Sequence, residues 1–314
     1  MKSLEKRPSL IGYFDSLRGH EMKRNILVTG GSGFIGYHIV RYFSKRGHNV
    51  YSIDIASNTP EERIDIRDFE KSSKVFNDVK PDVVIHLAAI ASIPLCENNS
   101  FECFETNVKG TLNMAILSNR VGAKFIFASS SAVYSNPLKL PTPTSHPLQP
   151  INFYGLTKAL GEQIVRYYAS SSHVIFRIFN VYGPECYRSY VIPDIIKKIL
   201  AGFNPVPLLG TGEESRDFIY IDDVLDAFRI SVETDAIIGT FNLGSGKTYK
   251  IRDIALMIRD IMNKPSITFL FEGKPRPGDI MINLADINNA IPGWRPLTDI
   301  KTGLRATIEW YLRS

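Results

Sequence analysis

Residues Asn25 to Gly36 read N-I-L-V-T-G-G-S-G-F-I-G. A short apolar run of strand character ends at Thr29, a glycine-rich turn opens at Gly30, and a helical pattern starts at Phe34. Gly30, Gly33 and Gly36 form G-x-x-G-x-x-G, which provides a tight turn, close approach of backbone to a pyrophosphate and close packing of helix on strand. Gly30, Gly33, Phe34, Ile35 and Gly36 are therefore candidate cofactor contacts. A second apolar run, Asn49 to Ile53, closes on Asp54. A carboxylate about twenty residues past such a turn suits the ribose hydroxyls of NAD. No Arg or Lys lies between Asp54 and Pro60 to neutralise a 2′-phosphate, so the pattern favours NAD over NADP.

Outward from this unit the rhythm repeats. Strand-like runs at Asn25–Thr29, Asn49–Ile53, Val83–Leu87, Lys124–Ser129 and His173–Ile178 alternate with helical patterns at Phe34–Arg46, Phe101–Val121 and Tyr154–Ala169. That alternation predicts a doubly wound parallel α/β sheet covered on both faces, with functional residues at the carboxyl ends of its strands. Gly30, Asp54, Ala88 and Ser130 fall at such ends. After about Asn180 prolines become frequent, which predicts a smaller C-terminal α/β lobe. The expected division is an extension over 1–21, with Met22 as an alternative start, a dinucleotide-binding domain over 22–180, and a mainly substrate-binding lobe over 181–314. The strand-then-helix pattern from Arg216 to Val224 makes the division interleaved, with about 216–242 returning to the first domain.

Between Asn152 and Glu162 the chain reads N-F-Y-G-L-T-K-A-L-G-E. Tyr154 and Lys158 stand at i and i+4 near a helix start, so both fall on one face, where an ammonium favours the ionised phenol. A tyrosine so tuned is a usable base.

Composition narrows the classes. The chain has 314 residues, 44% of them hydrophobic, enough for one large α/β domain or two lobes. Its net charge of +5 is modest and its basic residues are scattered, so no nucleic-acid partner is implied. Cys96, Cys103 and Cys186 are the only three cysteines and show no C-x-x-C spacing, which argues against a disulfide framework or a zinc site and fits a reducing compartment. Six scattered histidines form no metal-binding pattern, and no metal is expected. The most apolar stretch, Val83 to Leu95, is too short to span a bilayer, so no membrane partner is expected and the predicted location is the cytoplasm. Asn98-Asn99-Ser100 matches a glycosylation sequon but reads better as the cap of the helix that follows.

Taken together, the motifs resemble the extended short-chain dehydrogenase/reductase family, with its Rossmann-type domain, and within it the nucleotide-sugar epimerases and dehydratases. The resemblance runs from about residue 24 to the end. It is carried by the glycine turn, Asp65-Ile66-Arg67-Asp68, His86-Leu87-Ala88-Ala89, Asn107 with Gly110-Thr111, Ser129-Ser130-Ser131 before Val133-Tyr134, and Tyr154 with Lys158. It continues through R-I-F-N-V-Y-G-P at Arg177–Pro184, Arg216–Val224, Asn242-Leu243-Gly244, Arg276-Pro277-Gly278-Asp279 and Trp294. The resemblance implies NAD as cofactor. It places Asp65 and Ile66 at the adenine, Leu87, Ala88, Ala89 and Asn107 in the cofactor site, and Ser130, Tyr154 and Lys158 as catalytic residues, with the last two also holding cofactor. Asn180 would contact the sugar nucleotide, Arg216 and Arg276 its diphosphate, and Asp279 the nucleoside ribose. Two arginines fit that task, because a guanidinium fork matches phosphate oxygens.

By the same resemblance, dehydratases carry an Asp-Glu pair beside the serine, and decarboxylating relatives a Glu just before V-Y. Ser131-Ala132 stands here instead. Reversible oxidation at one carbon needs neither acid, so the expected activity is 4-epimerisation of a UDP-hexose. Other epimerases, dehydratases and 4-keto reductases of the same fold are the alternatives, and a dinucleotide-binding sensor is the non-enzymatic one. Two departures stand out. Ser135 replaces the family's usual glycine after V-Y, and Asn283, four residues after Asp279, occupies a position that helps decide whether an N-acetyl group fits. Its modest bulk admits N-acetylated substrates. Helices Phe101–Val121 and Tyr154–Ala169 imply a homodimer by analogy.

Overall fold

The computed structural model describes residues 23–169, 172–187, 190–274 and 280–313; residues 1–21, Arg276 and Asp279 lie outside them. The strands in chain order are β1 (Asn25–Thr29), β2 (Asn49–Ile53), β3 (Val83–His86), β4 (Lys124–Ser130), β5 (His173–Ile178), β6 (Asn180–Tyr182), β7 (Val206–Leu208), β8 (Ser215–Tyr220), β9 (Gly239–Leu243), β10 (Thr248–Lys250) and β11 (Phe269–Phe271). Six of them form one parallel sheet in the order β2-β1-β3-β4-β5-β9. The winding reverses at β1, which has β2 on one side and β3 on the other. A crevice at the carboxyl ends of β1 and β3 follows, and ligands bind at such points in open α/β sheets.

Side-chain alternation along each strand divides the core between the two faces. Ile26 and Val28 join Val83, Ile85, Ile126 and Phe176 on one face, under helices Phe34–Lys45 and Ile221–Glu233. Leu27 joins Val84, Phe125, Phe127 and Ile175 on the other, under helices Phe69–Val79 and Gly110–Val121. Each fully buried aliphatic or aromatic side chain contributes roughly 1.5–3 kcal/mol, so it is burial on both faces that fixes the strand register and the position of the strand ends.

Beyond Ile178 the chain alternates between sheets. Strands β6, β8 and β10 make a three-stranded sheet and β7 pairs with β11, whereas β9 lies beside β5 in the main sheet. The stretch from Arg216 to Val224 is a strand entering a helix, with its strand part, β8, in the smaller sheet.

Two expectations are corrected. The helix read from Phe101 to Val121 is broken into a short turn at Ser100–Phe104, a π-helical turn at Glu105–Lys109 and a regular helix from Gly110 to Val121, and a separate turn at Ile93–Asn98 precedes it. The wider turn leaves the Asn107 carbonyl to the Thr111 hydroxyl, at 2.6 Å, and carries the Asn107 side chain inward. The cysteines also depart from the reading: Cys96 and Cys103 are joined as a disulfide, with Cα atoms 5.2 Å apart, while Cys186 is free and buried. Spacing hid the pair, because the six intervening residues fold back through two short helical turns. Asn99 does cap the following helix, accepting from the Glu102 N–H at 3.2 Å. Among the described residues no helix is long and apolar enough to cross a membrane.

Candidate active site

The glycine turn is shaped as its sequence requires. Gly30 has φ +78°, and a Cβ there would lie 2.6 Å from the Ala88 nitrogen. A Cβ on Gly36 would overlap the Gly30 carbonyl oxygen. Side chains at these positions would fill the space between the turn and the β3 end, and the first-turn N–H groups of helix Phe34–Lys45, which have no intrahelical acceptors, open onto that space. The arrangement fits a dinucleotide pyrophosphate. Asp54 sits beside it, accepting from Ser32 N–H at 3.0 Å and Ala56 N–H at 2.8 Å.

Beneath the turn, His86 bridges the hydroxyls of Thr29, at 2.7 Å, and Thr111, at 3.0 Å. Burial, and secondarily the nearby Lys158 charge, pushes its imidazole down to about 3, so it stays neutral and structural. The Thr29 hydroxyl also meets the Ala88 N–H at 3.3 Å, tying the ends of β1 and β3 together where Leu87, Ala88 and Ala89 begin the next loop.

The expected adenine and loop residues are placed as follows. Asp65 forms a close pair with Arg67, at 2.6 Å, and Ile66 is buried against Gly110, where any Cβ would strike it. Asn107 spends its amide on the protein. It accepts from Ile90 N–H at 2.8 Å and lies within donating distance of Ile90 O, at 3.2 Å, and Thr157 Oγ1, at 3.0 Å. Its geometry is that of a brace between the β3 loop and the helix that carries Tyr154.

That helix, Phe153–Tyr168, is capped by the Asn152 side chain, which accepts from Gly155 N–H at 2.8 Å. Gly155 and Gly161 let it settle closely on β4 and the turn that follows: a Cβ at the first would lie 2.5 Å from Ala132 O in that turn, and at the second 2.7 Å from the Phe127 ring of β4. Ser130, Tyr154 and Lys158 are thereby brought together. The Tyr154 hydroxyl is hydrogen-bonded to the Ser130 side chain, whose oxygen also accepts from Ala132 N–H at 3.2 Å. The Lys158 ammonium donates to Ala128 O at 2.8 Å and stands 6.0 Å from the Tyr154 ring centre.

The electrostatics differ from the simple expectation in one respect. Burial raises the Tyr154 phenol well above its usual value, and the Ser130 bond opposes this. The ammonium is turned to the Ala128 carbonyl, and burial holds it down to about 8.

A charged network that the sequence reading missed locks this helix to the sheet. Glu162, fully buried one turn past Lys158, accepts from Ser129 Oγ at 2.6 Å and from Arg177 Nε and Nη2 at 2.8 and 2.7 Å. Arg177 also reaches Tyr134 Oη and Thr144 O, and Tyr134 donates to Asn242. Ser129 precedes Ser130, so the network sets Ser130 and Lys158 relative to each other. Its only sequence signal is a Glu four residues after the lysine.

Of the expected substrate residues, three converge. Asn180 lies within donating distance of Asp217 O, at 3.0 Å, and of Asn283 Oδ1, at 3.4 Å, and Asn283 in turn accepts from Asp217 N–H at 2.8 Å. Arg216 donates to Ser215 O at 3.0 Å beside the same segment. Asp217, which could have been its ion partner, instead accepts from Ser245, Gly246 and Ala285 N–H groups. Ser135, in the usual glycine position, keeps a glycine-like conformation, with φ 63° and ψ −137°.

Residues 26–244 match the family described as NAD dependent epimerase/dehydratase. The UDP-glucose 4-epimerase of Thermotoga maritima, solved with UDP-glucose, is 30% identical, with a TM-score of 0.84 over 92% of this chain and 98% of its own. A UDP-N-acetylglucosamine 4-epimerase from Methanobrevibacter ruminantium M1, solved with UDP-N-acetylmuramic acid, is 32% identical, with a TM-score of 0.83 over 93% and 99%. UDP-glucuronic acid decarboxylase 1 of Xenopus tropicalis is 28% identical over 92% of this chain and 72% of its own length.

Proposed function

Because the chain belongs to the NAD dependent epimerase/dehydratase family, and so acts on nucleotide sugars with NAD, we propose that it is a 4-epimerase of UDP-hexoses, with UDP-glucose and UDP-galactose as substrates and room for their N-acetylated forms. The observation that carries this reading is the buried 3₁₀ turn after Ser130, in which Ser131 and Ala132 occupy the positions where elimination or decarboxylation would call for a carboxylate. The one carboxylate bound to the neighbouring Ser129, that of Glu162, is committed to Arg177.

In the proposed cycle Tyr154 takes the proton of the sugar 4-hydroxyl and Ser130 hydrogen-bonds the same oxygen. NAD, when bound, accepts the C4 hydride and returns it. Gly30, Gly33 and the helix start hold its pyrophosphate, and Asp54 the adenosine ribose. Burial makes the Tyr154 phenol a poor acid, so its ionisation depends on the Lys158 ammonium turning from the Ala128 carbonyl toward the phenol and the nicotinamide ribose. Asn180, Arg216, Arg276, Asp279 and Asn283 hold the sugar nucleotide while the 4-keto sugar turns over and receives hydride on its other face. The amide nitrogen of Asn283 has no partner among the described residues, and its oxygen is fixed by Asp217, so a donor is available toward the sugar. A homodimer through helices Ser100–Val121 and Phe153–Tyr168 accompanies the reading; Phe101, Leu156, Leu160 and Tyr167 are exposed there.

The test is anion-exchange chromatography after incubation with UDP-galactose, and separately UDP-N-acetylgalactosamine, without added NADH. Appearance of the corresponding gluco-sugar is expected. Consumption of added NADH in proportion to product would indicate a reductase and end the proposal.

A further inference from the structure

Resting on the epimerase reading, we propose that Glu97 is a positioning residue for Tyr154, and that the Cys96–Cys103 disulfide is the fastener that keeps it in place. Activity would then follow the redox state of this pair.

The first N–H of the catalytic helix, that of Phe153, donates to Glu97 Oε1 at 2.7 Å. A carboxylate at a helix N-terminus satisfies a donor with no intrahelical acceptor and meets the positive end of the helix dipole. Tyr154 is the next residue, so this bond acts on the backbone that aims the phenol. Glu97 is itself exposed and sits in a single helical turn, Ile93–Asn98, a length with little stability of its own. Something must hold it, and the adjacent residue is Cys96, bonded to Cys103 in the following turn.

A second connection runs from the same pair. Asn107 Nδ2 lies 3.3 Å from Cys103 Sγ and 3.0 Å from Thr157 Oγ1, between Tyr154 and Lys158. Cys96 Sγ lies 3.4 Å from Ile90 O, the acceptor that Asn107 also approaches. As a thiol, Cys96 would donate to that carbonyl and compete with Asn107 for it. Cys96 therefore meets the loop after β3 directly, and Cys103 reaches the helix of Tyr154 through Asn107.

Conversion needs no further component than a thiol reagent. A small dithiol attacks one sulfur through a mixed disulfide and leaves as its cyclic disulfide, its two electrons and two protons ending on Cys96 and Cys103 as thiols. Oxidised glutathione reverses the reaction and departs as two glutathione thiols. Both sulfurs are buried, so exchange proceeds through opening of the two short turns and is slow.

The experiment compares protein treated with oxidised glutathione with protein treated with dithiothreitol, counting thiols after unfolding. One thiol, Cys186, is expected in the first and three in the second. Reduction is expected to lower kcat for UDP-hexose about five-fold, the effect of losing a helix-capping bond, with KM changed less than about two-fold. Glu97→Ala should show the same loss and no redox response, Glu97→Gln, which keeps an acceptor oxygen, should recover most of the rate, and C96S/C103S should behave as reduced protein in both buffers. Amide exchange at Phe153 gives a readout that needs no substrate: protection should fall on reduction and in Glu97→Ala. Three thiols after oxidation, or unchanged Phe153 protection in Glu97→Ala, overturns the proposal. Absence of turnover in the wild type refutes the epimerase reading instead, and leaves the exchange result to decide this one.

Discussion

Arg177→Met tests the network beneath the helix Phe153–Tyr168. The Arg177 side chain is 4% exposed and that of Glu162 0%, and the substitution removes both bonds to Glu162 together with those to Tyr134 Oη and Thr144 O. Removing one partner of a buried ion pair costs about 3–5 kcal/mol, because the other charge is left without its counter-ion. Arg166 still reaches Glu162 at 2.8 Å, although its side chain is 33% exposed. Ser129 also remains. The expected loss therefore lies at the lower end, about 3 kcal/mol. With an unfolding entropy of about 2.1 cal/mol/K per residue, this is a fall of about 5 °C in the midpoint followed by circular dichroism. The sign with pH is definite. Burial would raise the Glu162 carboxyl, but the Arg177 bonds outweigh it and hold it below its usual range. A depressed folded value means stabilisation that is present above the unfolded value of about 4.3 and lost as pH falls through the folded one. In Arg177→Met burial is less opposed and the folded value rises, so the deficit against wild type is greatest near neutrality and narrows on acidification. Adding Glu162→Gln should recover part of the loss. A deficit under about 1 kcal/mol, or one that grows as pH falls, would refute the reasoning.

Three further outcomes are expected. Ser135→Gly relieves a backbone conformation that suits glycine and should raise the urea midpoint by an equivalent of about 1 kcal/mol with an unchanged slope; a lower midpoint contradicts it. Gly36→Ala places a methyl against the Gly30 carbonyl oxygen, so NAD binding by calorimetry should be abolished, and wild-type affinity would exclude the turn from the site. Lys158→Met should lower kcat by at least about 100-fold. Because burial holds Lys158 at about 8, below the unfolded value of about 10.4, the unfolded chain binds more protons between these values. Wild-type stability should therefore gain on the variant as pH rises through that window, and parallel stability curves would contradict it.

The parts of the fold that were legible share a local cause. The turn at Gly30–Gly36, the strands that bury both faces and the Tyr154–Lys158 helix all express short-range spacing, and each appears where its pattern stands. Helix Phe69–Val79 is not legible in the sequence because its charged surface dominates the pattern, although Asp68 caps it by accepting from Lys71 N–H. The π turn at Glu105–Lys109, the Cys96–Cys103 bond and the Glu162–Arg177 pair depend on segments meeting in space. No spacing rule encodes such meetings. In the site, the sequence brings Ser130, Tyr154 and Lys158 to one place without giving the Ser130–Tyr154 bond or the orientation of Lys158, whose ammonium is taken by a carbonyl from β4. Asn107 is legible as a position and not as a role, because its bonds run to Ile90 and Thr157.

The most direct measurement is turnover of UDP-galactose carrying deuterium at C4, with the product analysed by NMR and mass spectrometry in wild type and Tyr154→Phe. The account predicts UDP-glucose that retains deuterium at C4, takes up none from solvent at C5, and is nearly absent in the variant. A product that has lost water or carbon dioxide, solvent hydrogen at C4, or an undiminished rate in Tyr154→Phe would contradict it.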